Sequence, residues 1–144
     1  MDGTDLKIIE LLKSNSRMSS SEISRIIHLS APAVAERIRK LEEAKIISQY
    51  TLRIQREKFD LNLMAFILVC LGGRSSTEVF KSTMQANENV LECHHIAGEY
   101  DYLLKVAVNS TAGLESFITN TLKHAAGVEK SNTLVVLSTV KENF

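Results

Sequence analysis

The segment GEYDY, residues 98–102, carries the groups in this 144-residue chain best suited to holding a small zwitterion. Gly98 permits a tight bend and lets a ligand come close to backbone amides. Free N–H groups there suit a carboxylate, while Asp101 offers a carboxylate that accepts from an ammonium. A plain hairpin turn, with Asp101 bonded to its own backbone, uses the same residues, and composition alone favours it.

A second group is cationic. In SAPAVAERIRKLEEAKII, Ser30 to Ile47, Arg37 and Lys40 lie one helical turn apart, with Glu36 beside them. Ser30 is a good N-cap, and Pro32 falls in the first turn, where its missing N–H costs nothing. Ala31, Pro32 and Ala33 are small enough to let the helix end approach a groove, and its amides suit phosphate. Arg37 and Lys40 are placed to reach base edges or backbone.

Other groupings are poorer. Cys93 and His95 share a strand face, with His94 opposite. Two such ligands without a third or fourth in reach do not make a zinc site, and a core or interface role suits them better. There is no Gly-rich phosphate loop, paired-carboxylate pattern or nucleophile elbow, and the Ser, His and Asp residues are too scattered for a triad. We therefore assign no catalytic residue, metal or cofactor.

The elements that must position these groups fall into two parts. Leu6, Ile9 and Leu12, widened by Ile8 and Leu11, predict a first helix from Thr4 to Lys13. Ser19 and Glu22 form a capping box opening a short second helix near Ser20, with Ile23, Ile26 and Ile27 on one side. Val34, Ile38 and Leu41 line the inner side of the third. Two short helices joined by about three residues and supported by a preceding one give a helix-turn-helix layout, about residues 20–39. A small bundle with a solvated polar face is the plainer alternative. IISQYTLRIQREKF, residues 46–59, is β-rich and partly alternating, which predicts a strand or ribbon made basic by Arg53, Arg56 and Lys58.

From Leu63 the pattern changes. LMAFILVCLG, VLECHHIA, YLLKVAV and TLVVLSTV (from Thr133) read as strands, with helices from Ser75 to Gln85 and from Ser110 or Thr111. The order β-α-β-β-α-β is ferredoxin-like, two helices on one face of an antiparallel sheet. The fold class is thus α+β. Residues 1–50 form a winged helix-turn-helix domain, 51–62 a strand or linker, and 63–144 a ferredoxin-like domain. Two helices cover one face only, and strands one, three and four read as apolar on both. A second copy would cover the other face, predicting a dimer.

Composition agrees. The zero net charge divides into 11 Lys+Arg against 8 Asp+Glu in residues 1–58, and 6 against 9 in residues 59–144. A basic front on an acidic body suits a nucleic-acid head, although ordinary fluctuation gives the same balance. Cys70 and Cys93 in apolar runs suit a reducing compartment, and no run is long enough to span a bilayer, so a cytoplasmic, nucleoid-associated protein with no membrane partner is expected.

SRMSSSEISRIIHLSAPAVAERIRKLEEAKIISQYT, followed by the βαββαβ pattern, resembles the leucine-responsive regulatory protein and asparagine-operon regulator family, Lrp/AsnC, over essentially the whole chain. One departure is Lys45, where the family usually has glycine after the reading helix. The resemblance implies a sequence-specific transcriptional regulator, not an enzyme, that binds double-stranded DNA at a pseudo-palindromic operator. It also implies an amino-acid effector and a homodimer assembling to an octamer. DNA-binding residues are then Ser30, Ala31, Pro32, Ala33, Glu36, Arg37 and Lys40. The family's G-x-x-D effector loop maps onto Gly98, Tyr100 and Asp101, with Ser138 as a further contact. A nucleoid-like architectural protein without effector, or an enzyme like the sirohaem decarboxylases using His94 or His95, are the alternatives.

Overall fold

The computed structural model describes residues 1–73, 77–125 and 127–142. They divide into two compact units, Met1–Ile54 and Gln55–Phe144.

The first unit is three helices, α1 (Gly3–Ser14), α2 (Ser20–Ile27) and α3 (Ala31–Glu43). Each start is capped by a side chain: Asp2 with Asp5, and Ser19 with Glu22, form reciprocal boxes, and the Ser30 hydroxyl accepts from the Ala33 N–H. Such caps satisfy amides that the first turn leaves without partners. Ile8, Leu12, Ile23, Val34 and Leu41 make the core. The inner line of α1 is therefore centred on Ile8 and Leu12, and Leu6 is 49% exposed. Ile26 likewise points away, so Ile23 alone anchors the middle of α2.

The links between helices use left-handed backbone. His28, at φ 57°, ends α2, and the Leu29 N–H reaches back to the Ser24 carbonyl at 3.2 Å. Lys45, at φ 56°, ends α3. There the Ile46 N–H bonds to Leu41 O at 2.9 Å and the Lys45 N–H to Glu42 O at 3.0 Å, the paired closure that glycine usually supplies. Lysine holds that geometry against its own Cβ.

The expected strand after α3 is absent. Residues 44–55 form no strand, and a 3-10 turn occupies Arg56–Phe59. The alternating Tyr50, Leu52 and Ile54 are all exposed, Leu52 at 79%. A strand exists only where another backbone completes its ladder, and a single chain offers this segment none. The wing is thus missing from the helix-turn-helix unit.

The second unit is a four-stranded antiparallel sheet, β1 (Leu63–Leu71), β2 (Val90–His95), β3 (Tyr102–Val108) and β4 (Val128–Val135), in the order β2-β3-β1-β4. Helix α4 (Thr77–Ala86) joins β1 to β2; the expected start at Ser75 lies outside the described residues. Helix α5 (Thr111–Ser116) is capped by Ser110 and continues as π turns over Phe117–Leu122. Ala65, Ile67, Val69, Leu104 and Val106 face Phe80, Met84, Leu114, Phe117 and Leu122, making one core between sheet and helices.

Strand β4 begins five residues before the predicted Thr133 and ends at Val135. Pairing from Val128 opposite Leu71 to Val135 opposite Ala65 sets its extent by the length of β1, not by its own hydrophobicity. Glu129, Lys130 and Asn132 are tolerated because β4 is an edge strand. The sheet face away from the helices carries half-buried Met64, Phe66, Leu68 and Leu103. It is not wholly apolar: Lys105 lies in its middle, 7% exposed, bonded to Glu92 and Glu142, and Glu142 also pairs with Arg56.

Candidate functional sites

On α3 the buried line of Val34 and Leu41 puts Pro32, Ala35, Glu36, Arg39, Lys40 and Glu43 on the solvent side, while Ala31, Ala33 and Arg37 are half-buried. The capped N-terminus with its small residues is as the sequence suggests. The cation pattern is not. Arg37 Nη1 bonds to Asp5 Oδ1 at 2.7 Å and Asp2 Oδ2 at 2.8 Å, tying α3 to the start of α1. Arg37 therefore faces the unit's interior side and is engaged there. Its spacing of three from Lys40 hid a 60° offset that burial resolves in favour of α1.

Arg39, which the sequence reading passed over, is the outward guanidinium. It bonds to Glu36 through both Nε and Nη2, at 2.8 and 2.7 Å, and to Glu43. That fork pulls the Glu36 carboxyl down to about 2. Lys40 lies 3.7 Å from the same carboxylate and is largely exposed. Arg39 shares a face with Pro32 and Glu36, a signal available from the helical period alone.

In the second unit, Gly98 to Asp101 form the link between β2 and β3. Gly98 has φ 153°, outside the range L side chains favour, with open space where a Cβ would stand. The Asp101 carbonyl closes the hairpin by accepting from the Ile96 N–H at 2.8 Å, but its side chain is not used there. Its Oδ2 accepts from the Leu71 N–H at 2.7 Å, and its own N–H donates to Val69 O at 2.9 Å. The loop is thereby pinned to the end of β1. The thiol of Cys70 adds a bond to the Glu99 carbonyl at 3.2 Å. Tyr100 is half-buried, with Lys130 Nζ 4.8 Å above its ring and bonded to Glu99 at 2.7 Å. Among the described residues, the amides of Gly98, Glu99 and Tyr100 have no protein acceptor.

Ser138 stands apart. It is exposed, beyond β4 instead of on it, where the chain joins β1 through the Val136 N–H and Met64 O. Asp101 binds at Val69 and Leu71, the other end of the same strand, roughly 20 Å away along the ladder. One protomer does not bring Ser138 to the loop. His94 and His95 point to opposite faces, and the described residues contain no cluster of three or more metal-ligating side chains. Among them, too, no helix is long and apolar enough to cross a membrane.

A capped helix-turn-helix unit and a ferredoxin-like unit with a pinned, amide-rich loop define a two-part DNA-binding regulator. The family model of the AsnC-type helix-turn-helix domain matches residues 1–42, and that of the Lrp/AsnC ligand binding domain matches residues 64–144. The HTH-type transcriptional regulator LrpC of Bacillus subtilis is 40% identical over 128 residues, 89% of this chain and 88% of that protein. The leucine-responsive regulatory protein of Escherichia coli is 32% identical over 145 residues, 99% of this chain and 88% of that one. A transcriptional regulator of Neisseria meningitidis, solved in complex with L-Met, matches with a TM-score of 0.95 at 31% identity, covering 99% of this chain and 94% of that chain. The chain belongs to the Lrp/AsnC family of transcriptional regulators.

Proposed function

We propose that this regulator works as a two-fold homodimer, assembling further to an octamer, that reads a pseudo-palindromic duplex and responds to an amino acid. The observation that carries the effector reading is the loop at Gly98–Asp101, where unpartnered amides stand beside a carboxylate held by the Leu71 N–H. The amides suit the ligand carboxylate, and the second oxygen of Asp101 suits its ammonium. Tyr100 walls the site. The solved complex of the Neisseria meningitidis relative with L-Met supports an amino acid as ligand. Ser138 enters only from a neighbouring copy, which couples occupancy to assembly.

The duplex would meet the N-terminal end of α3, with Ser30, Ala31, Pro32 and Ala33 at the backbone and Glu36, Arg39 and Lys40 toward the bases. Arg37 supports this face from behind. Dimerisation has two sources on each chain: the exposed alternation of Tyr50, Leu52 and Ile54, and the half-covered sheet face around Phe66 and Leu68. Paired heads raise effective concentration, so a neutral protein can bind a polyanion through individually modest contacts. The chain acts in the cytoplasm, at the nucleoid.

Sedimentation of the full chain with a promoter duplex, titrated with each common amino acid, tests this reading. One or more amino acids shift the assembly or the DNA affinity. A single-chain species that ignores duplex DNA at low salt overturns it, and DNA binding indifferent to every amino acid removes the effector.

A further inference from the structure

Between α4 and the edge strand β2 lies a concavity of about 480 Å³ that none of residues 96–101 lines. Its apolar walls are Met84, Val90 and Leu91, and Lys81, Gln85, His95 and Tyr102 are among its polar groups. The pairing of β2 with β3 slips between Val90 and Glu92, so one wall is built on an irregular register. Bulges of this kind commonly re-aim side chains at sites.

Tyr102 is the unexplained residue. It is 3% exposed, packed between the Phe80 and His95 rings at 4.9 and 5.0 Å, and its hydroxyl has no hydrogen-bond partner. A buried hydroxyl without a partner is costly, and a phenylalanine would fill the same space without that cost. Lys81 lines the same concavity. The Lys81 ammonium gives one bond to Glu78, at 2.9 Å, which leaves two protons to donate.

Lys81 can only donate, while Gln85, Tyr102 and the neighbouring His95 can donate or accept. The one carboxylate among the lining residues, Glu92, is already bonded to Lys105 at 2.9 Å and His94 at 3.1 Å. An ammonium would find no carboxylate free of other partners there, whereas a carboxylate would find the Lys81 ammonium and a carbonyl oxygen the Tyr102 hydroxyl.

We propose that this concavity is a binding site for a small α-keto acid with an aliphatic tail. Its carboxylate accepts from Lys81, its keto oxygen accepts from the Tyr102 hydroxyl, and its tail rests on Met84 and Val90. The site uses none of residues 98–101 and disfavours amino acids, because its one carboxylate, Glu92, is already engaged by Lys105 and His94 and leaves their ammonium no anionic partner of its own. A regulator so equipped senses the deaminated form of a metabolite separately from the amino acid itself.

Calorimetric titration of the full chain with α-ketoisovalerate, isovalerate and valine tests the proposal. The keto acid binds, and isovalerate, lacking the keto oxygen, binds roughly tenfold more weakly. Tyr102→Phe abolishes that difference while leaving the unliganded protein as stable as before or more so, since it removes a buried orphan group. Lys81→Met weakens both acids. The proposal fails if no heat is seen at millimolar α-ketoisovalerate, meaning that the hydroxyl meets only water. It fails equally if Tyr102→Phe keeps the keto preference, or if valine binds as well as the keto acid and is weakened by Lys81→Met.

Discussion

Arg37 Nη1 lies 2.7 Å from Asp5 Oδ1, and the same nitrogen lies 2.8 Å from Asp2 Oδ2, so one guanidinium joins α3 to the capping box of α1. Both carboxyls are held below the usual range, first by each other's backbone amide and then by Arg37. Arg37 thus ties α3 to α1, while Arg39 stands on the solvent side, where the proposed reading puts the duplex. Arg39→Ala should weaken operator binding on the order of tenfold and relax preference at one base position. Arg37→Ala should lower the melting temperature, more at low than at high salt, and weaken all duplexes alike. Gel shifts in which Arg37→Ala alone changes base preference would reverse the two roles.

Lys45 occupies φ 56° at the end of α3. An L residue pays about 1 kcal/mol there that glycine does not. Lys45→Gly should therefore raise the stability of the helical unit by roughly 0.5–1 kcal/mol. Denaturant melts of the two proteins, compared at equal slope, decide it; a loss of stability would mean that the lysine side chain holds the closure in some other way.

Asp101 serves both the Leu71 N–H and, on the proposal above, a ligand ammonium. Asp101→Asn keeps an acceptor for Leu71 but loses the charge. It should preserve the dimer and its melting temperature yet abolish the amino-acid response, while Asp101→Ala should lose both the response and some loop order. A full response from Asp101→Asn in the sedimentation assay removes the ammonium contact.

Lys105 is buried on the sheet with Glu92 and Glu142 as partners. Burial opposes its charge, but the two carboxylates more than offset this and raise its pKa, and both carboxyls are lowered in turn, chiefly by their bonds to Lys105. The sign follows from those directions. Depressed carboxyls contribute stability above their ordinary value of 4.5 that is lost as pH falls through the lowered values. The raised lysine contributes fully below 10.5 and loses its contribution as pH rises through its own raised pKa. Lys105→Met leaves two carboxylates facing each other and should cost about 2 kcal/mol, discounted because Glu92 is partly exposed. Combining it with Glu142→Gln should recover much of that loss. Melting curves between acid and neutral pH should show a shallower acid limb in the double variant, and an unchanged limb would remove the network from the account.

Much of this was legible in the residues. The three front helices, their serine caps and the βαββαβ order follow from local rules: period, capping box and turn composition act within a few residues of chain. GEYD was legible as a loop for the same reason. What failed was whatever depends on a partner. IISQYTLRIQ has a strand's alternation but no second backbone, so it forms no strand. The end of β4 was misplaced because β1, not its own apolar residues, sets its span, and that error carried Ser138 off the strand.

The chain's own pattern determined which segments are helices and which are sheet, since each residue's backbone preference and the spacing of its apolar neighbours are properties of nearby sequence. Only the folded arrangement decided which charge faces where. Arg37 and Arg39 are two positions apart, 200° around a helix. Packing of α3 against α1 turns one into an internal tie and leaves the other in solvent. Likewise, the hydroxyl of Tyr102 is left without a partner where Phe80, from α4, and His95, across the hairpin, pack on its ring.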